Sequence, residues 1–452
     1  MVLFAAACSP GAPSATTATS APTTTSTVIV PVPGALDESI YDRTLRAVDA
    51  PSESGIALVA RDMGESGDPG WIPYLVDLLR LVGPGDARNQ LAGALQRLTG
   101  APLPDDEGDS YLTYGSWMYR NPVDAGPRYV EWKARLYGLI DPSFADLIGM
   151  VDDPVLAARL QWGGVGRGGI PELNDAPVIG VGEASYMTDA ELTFGAFLGG
   201  EARAYPHRIL DHHELANDTL GGVPVALANC TLCRTGVLYD RRVGDVVVDF
   251  ETSGLLLNSN KVMVDRQTGT LWEQLTGTAV AGPLAGTVLD RHPLTVTTFA
   301  AWVAEHPDTG VLAIPDLGFP YSYRPGDAYR SYYDSAELWF PTFQAPDDFA
   351  PKAEMATLLI GHAALAVEIA ALATPEVLPF AGTMVLVVPT EGGARFYDLG
   401  PDPGPVDPAA VATGEMSAVL DDGREAPRLA GGHSFWFAWY GAHPDTDWWP
   451  PS

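Results

Sequence analysis

Basic side chains are scarce in this sequence. Its 452 residues include 26 Lys and Arg against 57 Asp and Glu, which gives a formal net charge of −31 at pH 7. Such a surplus of negative charge repels the phosphates of nucleic acids and anionic lipid headgroups. We therefore expect no nucleic-acid partner, and we interpret the acidic residues as the solvated surface of an exported protein.

Long apolar runs and common hydrolase motifs are also missing. Outside the N-terminus, no stretch offers the ~20 consecutive apolar residues that a membrane-spanning helix needs, so the remainder is predicted to be soluble. The sequence has neither a Gly-x-Ser-x-Gly elbow nor a zinc-protease helix, which disfavours the common hydrolases. The glycine-rich run 163–169 is followed by Pro171 rather than by a helix, which argues against a phosphate-binding loop.

Cysteine is scarce as well, with three in the chain. The first, Cys8, follows the apolar run Leu3–Ala7 in an arrangement similar to the processing site of bacterial lipoproteins, where the thiol receives a lipid. The next stretch, Ser9–Thr27, is almost entirely Ser, Thr, Ala, Pro and Gly, which is typical of a flexible tether. We interpret 1–33 as a lipoprotein-type signal remnant and tether. The protein is expected to be extracytoplasmic, either secreted or anchored to the cell membrane solely through a lipid on Cys8.

The segment 34–162 has the pattern of a helical domain. Its clearest stretch, Ile72–Val82, places apolar residues at intervals of three and four and stops at a Gly-Pro pair. The stretches Leu91–Leu98 and Val130–Ile140 show the same spacing. Because no regular period connects them, the pattern predicts a small irregular helical domain rather than a solenoid.

Beyond residue 163 the sequence changes to short alternating strands separated by glycine-rich turns. This strand-rich unit is predicted to occur twice, because the spacing from Trp302 to a His-Pro-Asp-Thr sequence recurs from Trp439. We place the first copy in 163–320 and the second in 321–452. The fold class is therefore α+β, with an irregular helical domain followed by a duplicated, mainly antiparallel β unit.

The two predicted copies differ most at one turn between strands. In the first copy the turn contains Cys230 and Cys233, whereas in the second copy Pro389–Gly393 joins the corresponding strands without cysteine. Since an ordinary turn suffices to close the hairpin, the two cysteines indicate a function. They could form a strained disulfide that exchanges with other thiols, bind a soft metal, or form an inert disulfide in an oxidising compartment.

A metal site would need ligands besides Cys230 and Cys233, because two thiolates are too few for a tetrahedral site. The preferred partner is His213, at the end of a short helical stretch. Glu214 is a candidate acid or base beside the cysteines, and Asp211 is the alternative for this role.

Met263 is a further candidate ligand. Strand alternation from Lys261 to Asp265 places it on a polar face, which is an unusual position for a core methionine. Two cysteines, a histidine and a methionine form a soft ligand set suited to copper, and zinc is the alternative.

Several motifs in this part of the chain recur together, in this order, in a known family. They are Glu201–Pro206, His213-Glu214, Asn217–Thr219, Cys230-x-x-Cys233, Ser253–Leu256, Asp265–Gly269 and Ala281–Gly286. From about Ile170 to Thr446 the sequence resembles the domain of unknown function 3179, an uncharacterised family of secreted proteins and lipoproteins. Some members are described as selenoproteins at the cysteine motif, and this resemblance implies redox catalysis rather than an inert disulfide.

The sequence departs from the family pattern around the cysteines. Members usually have Pro after the first cysteine, Gly or Asn after the second, and Trp before the His-Glu pair. Here Thr231, Arg234 and His212 stand at these positions. Loss of the proline alters the rigidity of the turn and therefore the reactivity of the thiols.

We therefore predict an extracytoplasmic lipoprotein with a thiol- or metal-dependent redox site at Cys230, Cys233 and His213. The alternatives are a non-catalytic envelope protein that binds a small molecule or a protein partner and has a structural disulfide, or a metal-delivery protein without turnover.

Lipid attachment at Cys8 is directly testable. In bacterial cells fed an alkyne-bearing fatty acid, the full chain should incorporate the label and sediment with membranes, whereas Cys8→Ser should lose both properties. Cys230→Ser is the matched control and should remain labelled. Equal labelling of Cys8→Ser and the unmodified chain would contradict lipidation at this residue.

Overall fold

The computed structural model of the protein describes residues 36–104, 109–316, 321–326 and 328–451. The chain divides into two compact units, Met1–Gln161 with Phe340–Phe343 and Trp162–Trp339 with Gln344–Ser452. Cys8 and the rest of 1–33 lie outside the described residues. Among the described helices, none has both the length and the apolar composition of a membrane-crossing segment.

The first unit is helical, as the sequence predicts. Asp37 starts its first helix by accepting hydrogen bonds from the N–H groups of Ser39 and Ile40, and left-handed glycines, Gly67 and Gly100, end two others. The helices are α1 Glu38–Asp49, α2 Glu53–Ser66, α3 Ile72–Leu81, α4 Asp86–Thr99, α5 Asp109–Arg120, α6 Pro127–Gly138, α7 Ser143–Gly149 and α8 Pro154–Arg159.

A buried ion pair lies in the core of the helical unit. Lys133 Nζ on α6 is 3.0 Å from Asp77 Oδ1 on α3, and it also donates to the carbonyl of Leu160 at 2.6 Å. The hydroxyls of Tyr129 and Tyr137 donate to the Asp77 carboxylate at 2.6 and 2.9 Å. Burial lowers the pKa of Lys133 and raises that of Asp77. These hydrogen bonds therefore offset the cost of desolvating both charges.

Removing one partner of this pair should destabilise the helical unit strongly. Lys133→Met leaves the Asp77 carboxylate buried without a counter-ion, and we expect a loss of about 3–5 kcal/mol in the free energy of unfolding. Urea denaturation followed by circular dichroism measures it. The double variant Lys133→Met/Asp77→Leu should recover part of the loss; an equal or larger loss would contradict this account.

Beyond α8 the chain is rich in strands. Up to Leu312 the elements are β1 Gln161–Trp162, β2 Leu173–Asn174, β3 Val178–Gly180, β4 Leu192–Leu198, β5 Glu201–Pro206, α9 His207–His213, β6 Leu215–Leu220, β7 Val223–Cys230, β8 Thr235–Asp240, β9 Arg242–Val243, β10 Val246–Val247, β11 Phe250–Leu257, β12 Asn260–Asp265, β13 Leu271–Glu273, β14 Ala279–Ala281, β15 Arg291–His292, β16 Thr295–Thr298, α10 Phe299–Glu305 and β17 Gly310–Leu312.

The short helix α11, Arg330–Tyr333, precedes a second series of strands. This series comprises β18 Glu354–Ile360, β19 Ala363–Glu368, β20 Glu376–Phe380, β21 Thr383–Pro389, β22 Ala394–Gly400, β23 Ala412–Thr413, β24 Ser417–Val419, β25 Glu425–Leu429, β26 Gly431–Phe435, α12 Trp436–Ala442 and β27 Asp447–Trp449. Most strand pairs are antiparallel, and the mixed α+β class is confirmed.

The two series repeat one arrangement of elements. In the first, strands lie in the order β16-β4-β5-β17, with α10 between β16 and β17; in the second the order is β26-β18-β19-β27, with α12 between β26 and β27. Trp302 Nε1 donates to Thr309 Oγ1 at 2.9 Å, and Trp439 Nε1 donates to Thr446 Oγ1 at 2.8 Å. The recurring Trp and Thr therefore have the same structural role in both series. The bounds 163–320 and 321–452 stay a prediction.

One large sheet joins the two series. Its main strand order is β2-β6-β7-β8-β26-β18-β19-β27, and β8 of the first series pairs with β26 of the second at Gly236 and His433. This pairing places residues of the second series beside the turn between β7 and β8, which contains both cysteines.

Candidate dithiol site

The cysteine turn closes a regular hairpin. Cys230, the last residue of β7, pairs with Thr235, the first residue of β8, and a single 3-10 turn, Thr231–Cys233, connects them through Arg234 in the left-handed region. In the second series Pro389 and Ala394 are the corresponding last pair of β21 and β22. Both connections have the same length, so the fold does not need cysteine at this place.

The two thiols lie close together and are not joined by a disulfide. Both are buried, with Cys230 1% and Cys233 0% exposed. Cys233 Sγ lies within hydrogen-bonding range of Cys230 and 3.3 Å from the carbonyl oxygen of Ser259. The sulfurs are thus held inside the protein.

The turn between β11 and β12 provides the contacts to both sulfurs. Its central residues, Asn258 and Ser259, have φ angles of 52° and 58°, the left-handed conformation of a type I′ hairpin turn. The next residues bring the Asn260 side chain to Cys233 and the backbone N–H of Lys261 to Cys230. Both contacts depend on the packing of segments that are distant in sequence.

A second buried ion pair lies beside the thiols. Lys261 Nζ is paired with Glu214 Oε2, and both side chains are buried. Glu214 adopts a left-handed conformation, φ 58°, at the end of α9, and its Oε1 accepts a hydrogen bond from Thr231 Oγ1 at 3.1 Å. The carboxylate therefore connects α9, the cysteine turn and β12.

These contacts shift the pKa values of the two thiols in opposite directions. Burial and the Glu214 carboxylate act to raise the pKa of Cys230, but the hydrogen bonds from Cys233 and from the Lys261 N–H, together with the Lys261 ammonium, outweigh them and lower this pKa. Burial and the same thiol contact raise the pKa of Cys233 well above its usual value. Cys230 is therefore the thiol that ionises first, and Cys233 is its hydrogen-bond donor.

Residues of the second series hold Arg234. Its guanidinium Nε lies 3.0 Å from Glu354 Oε1, and its carbonyl oxygen lies 2.7 Å from His433 Nδ1. His433 Nε2 in turn lies 3.3 Å from Glu354 Oε2. Despite burial, which acts in the opposite direction, the His433 and Arg234 contacts lower the pKa of Glu354 to about 2. The arginine after the second cysteine thus anchors the turn to β18 and β26.

Helix α11 contacts the other side of the cysteine turn. The Tyr333 hydroxyl donates to the Thr231 carbonyl at 3.0 Å, and its ring lies under the Arg234 guanidinium, 5.0 Å away. Tyr332 is fully buried and lies in the electrostatic neighbourhood of both thiols.

Both ring nitrogens of His213 have protein partners. The ring nitrogens Nδ1 and Nε2 lie 2.7 Å from the carbonyl oxygen of Pro171 and 2.6 Å from the hydroxyl of Tyr323, and burial lowers the pKa of His213. Ligation of a metal together with Cys230 and Cys233 would require breaking one of these contacts.

The prediction that Met263 stands on a polar face is wrong. Met263 is fully buried in an apolar cluster with Phe250 and Trp272, and it pairs directly with Trp272 across β12 and β13. Lys261 and Asp265 on the same side of β12 are buried as well and are paired with Glu214 and Trp272. Alternation therefore gave the correct side of the strand, but that side faces the interior.

A different trio has the spacing of a metal site. Among the described residues, ligand atoms of Glu305, His306 and Glu415 all lie within 4.8 Å of one another. Arg395 and Arg428 are ion-paired with Glu415 at 2.6 and 3.1 Å, so cationic charge is already supplied there. This trio is an ion-pair network between the two series.

Sequence reasoning missed Lys261 and the anchors of Arg234. Arg234 directly follows Cys233 in the sequence, but in the structure it pairs with Glu354, and the cation beside Cys230 is Lys261. The alternating pattern after Asn258-Ser259 signals a hairpin, yet its position over the cysteines is a tertiary feature.

Comparison with known proteins gives one match. A protein-family model described as "Protein of unknown function (DUF3179)" matches residues 167–446. No curated protein and no solved structure matches the chain.

Asp211, the alternative acid or base, should make stability depend on pH. Burial raises its pKa from 3.8 to about 7, with Arg234 and Asn229 opposing and Glu214 adding to the shift. Because the folded protein favours the protonated carboxyl, this contribution to stability is complete below pH 3.8 and is lost as pH rises through 7. The urea midpoint of the unmodified chain should therefore fall relative to that of Asp211→Asn over this range. Parallel pH profiles for the two proteins would contradict the raised pKa.

Proposed function

The chain belongs to the DUF3179 family of proteins of unknown function, and we propose that Cys230 and Cys233 form its thiol redox centre. The reaction proposed is thiol–disulfide exchange with a molecule that carries a disulfide bond. Cys230 is the attacking thiolate, and Cys233 resolves the intermediate.

This proposal rests on the different surroundings of the two thiols. Cys230 accepts hydrogen bonds from Cys233 and from the Lys261 N–H, and the Lys261 ammonium adds positive charge nearby. A thiolate is the nucleophile in exchange reactions, and such contacts stabilise it. The raised pKa of Cys233 keeps this thiol protonated until it attacks the mixed disulfide.

The exchange proceeds in two balanced steps. Cys230 attacks one sulfur of the partner disulfide, a mixed disulfide forms, and the other partner sulfur leaves as a thiolate. Cys233 then loses its proton and attacks Cys230, which forms the Cys230–Cys233 disulfide and releases the second partner thiolate. The two cysteines lose two electrons and two protons, and the partner becomes two thiols.

A metal centre at the same residues has less support. Both ring nitrogens of His213 are engaged, with Pro171 and Tyr323, so this side chain is not free to join the sulfurs. The sulfurs of Cys230 and Cys233 are suitable ligands for copper or zinc, but among the described residues the group of His, Cys, Asp or Glu side chains with metal-site spacing lies elsewhere, at Glu305, His306 and Glu415.

We also propose that the protein acts outside the cytoplasm, tethered by lipidated Cys8 as the sequence predicts. Disulfide-bearing partners persist in that compartment, whereas cytosolic thiol buffers reduce them. The proposed chemistry and the proposed location are therefore consistent.

Trapping the intermediate tests the redox centre. In a Cys8→Ser background, the folded protein is mixed with oxidised glutathione, quenched with acid and analysed by mass spectrometry. The parent should form an internal disulfide, Cys233→Ser should accumulate glutathione on Cys230, and Cys230→Ser should react at least about tenfold more slowly, because the remaining thiol has the raised pKa.

Three results would overturn the proposal. The first is faster glutathione capture by Cys230→Ser than by Cys233→Ser. The second is reaction of the thiols in urea but not in the folded protein, which favours a non-catalytic binding protein. The third is stoichiometric copper or zinc in the purified parent that is lost in Cys230→Ser, which favours a metal centre.

A further inference from the structure

Both thiols of the dithiol site are buried, so a partner sulfur can reach Cys230 only after some part of the protein moves. The β7–β8 hairpin is central in the large sheet. The β11–β12 turn belongs to a second sheet, in which β12 pairs with both β11 and β13. Neither element can leave without breaking a sheet. Helix α11 differs, because it is a single short turn in the connection between β17 and β18 and pairs with no described strand.

We propose that the segment Tyr329–Ser335, here called the tyrosine strap, is a lid that controls access of partner disulfides to Cys230. Tyr333 fastens it to the cysteine turn through the hydrogen bond to the Thr231 carbonyl. Tyr332, in the same segment, is fully buried and has both thiols in its electrostatic neighbourhood.

Lys352 fastens the strap from the other side. Its Nζ donates to the carbonyl oxygens of Tyr332, in α11, and of Ser335, just beyond the helix, at 2.5 and 2.8 Å. The same ammonium lies 3.3 Å from the centre of the Tyr332 ring, a cation–π contact. The strap is thus held by side-chain contacts, polar and aromatic, and by no backbone ladder, so it can open locally without breaking a sheet.

The strap also restricts which partners can enter. Tyr329, Tyr332, Tyr333 and Trp339 form a connected aromatic cluster, with ring centroids 4.7–6.2 Å apart. A partner must displace these contacts to reach the sulfur, so a flexible peptide or small disulfide fits better than a folded surface. The substrate aspect of this inference rests on the proposed redox function, but the opening of the strap does not.

Alkylation of the folded protein measures this opening directly. In a Cys8→Ser background, the rate of iodoacetamide modification of Cys230 is followed by mass spectrometry in native buffer. Tyr333→Phe removes one hydrogen bond and should raise this rate about fivefold. Lys352→Met removes two hydrogen bonds and the ring contact and should raise it about tenfold or more.

Tyr397→Phe is the matched control, because Tyr397 also donates from its hydroxyl to a backbone carbonyl, that of Gly414, at 2.8 Å. It should leave the alkylation rate unchanged. All variants should react equally fast in urea, where the strap has no structure.

Two outcomes contradict the strap. If Tyr397→Phe accelerates alkylation as much as Tyr333→Phe, the thiols are exposed by global unfolding. If Tyr333→Phe and Lys352→Met both alkylate at the parent rate, another element limits access. Because iodoacetamide needs no disulfide chemistry, accelerated alkylation combined with absent glutathione exchange would retain the strap and reject the redox function.

Discussion

The buried pair between Lys261 and Glu214 is the interaction on which the dithiol site depends. It joins the end of α9 to β12, and Thr231 attaches the cysteine turn to the same carboxylate. A buried lysine without its counter-ion would be too costly to keep, so the glutamate fixes the ammonium near the thiols. The N–H and the ammonium of the same lysine add to the Cys233 contact in lowering the pKa of Cys230.

The repeated arrangement of strands explains how a reactive turn could arise on a stable frame. Both series contain the same hairpin with a connection of the same length, but the second closes it with Thr390–Gly393. The second series contributes differently, because Glu354 and His433 hold Arg234 directly after Cys233. One series therefore carries the thiols, and the other stabilises the turn that presents them.

Burial of the thiols favours their chemistry and protects the sulfurs, but it also keeps reaction partners away from them. Exclusion of water strengthens the hydrogen bonds and charge contacts that favour the Cys230 thiolate, and it also shields the sulfur from unspecific oxidation. The same burial blocks any partner, which makes a loosely held cover such as the tyrosine strap physically necessary for exchange. Its contacts to Thr231 and Lys352 are few enough to break without disturbing the sheets.

The sequence by itself determined the local features of this protein. Apolar spacing predicted α3, and the order of motifs identified the family. The contrast between the two turns located Cys230 and Cys233 correctly in a strand-turn-strand setting. These properties depend on neighbouring residues, which the sequence shows directly.

Only the tertiary structure decided what surrounds the thiols. Met263 was misjudged because alternation reports which residues share a side of a strand but not whether that side faces solvent. Lys261 and Glu354 reach the site from strands that are distant in sequence, and their pairing is set by sheet order and turn geometry. Contacts of this kind depend on long-range packing, for which a single sequence contains no local pattern.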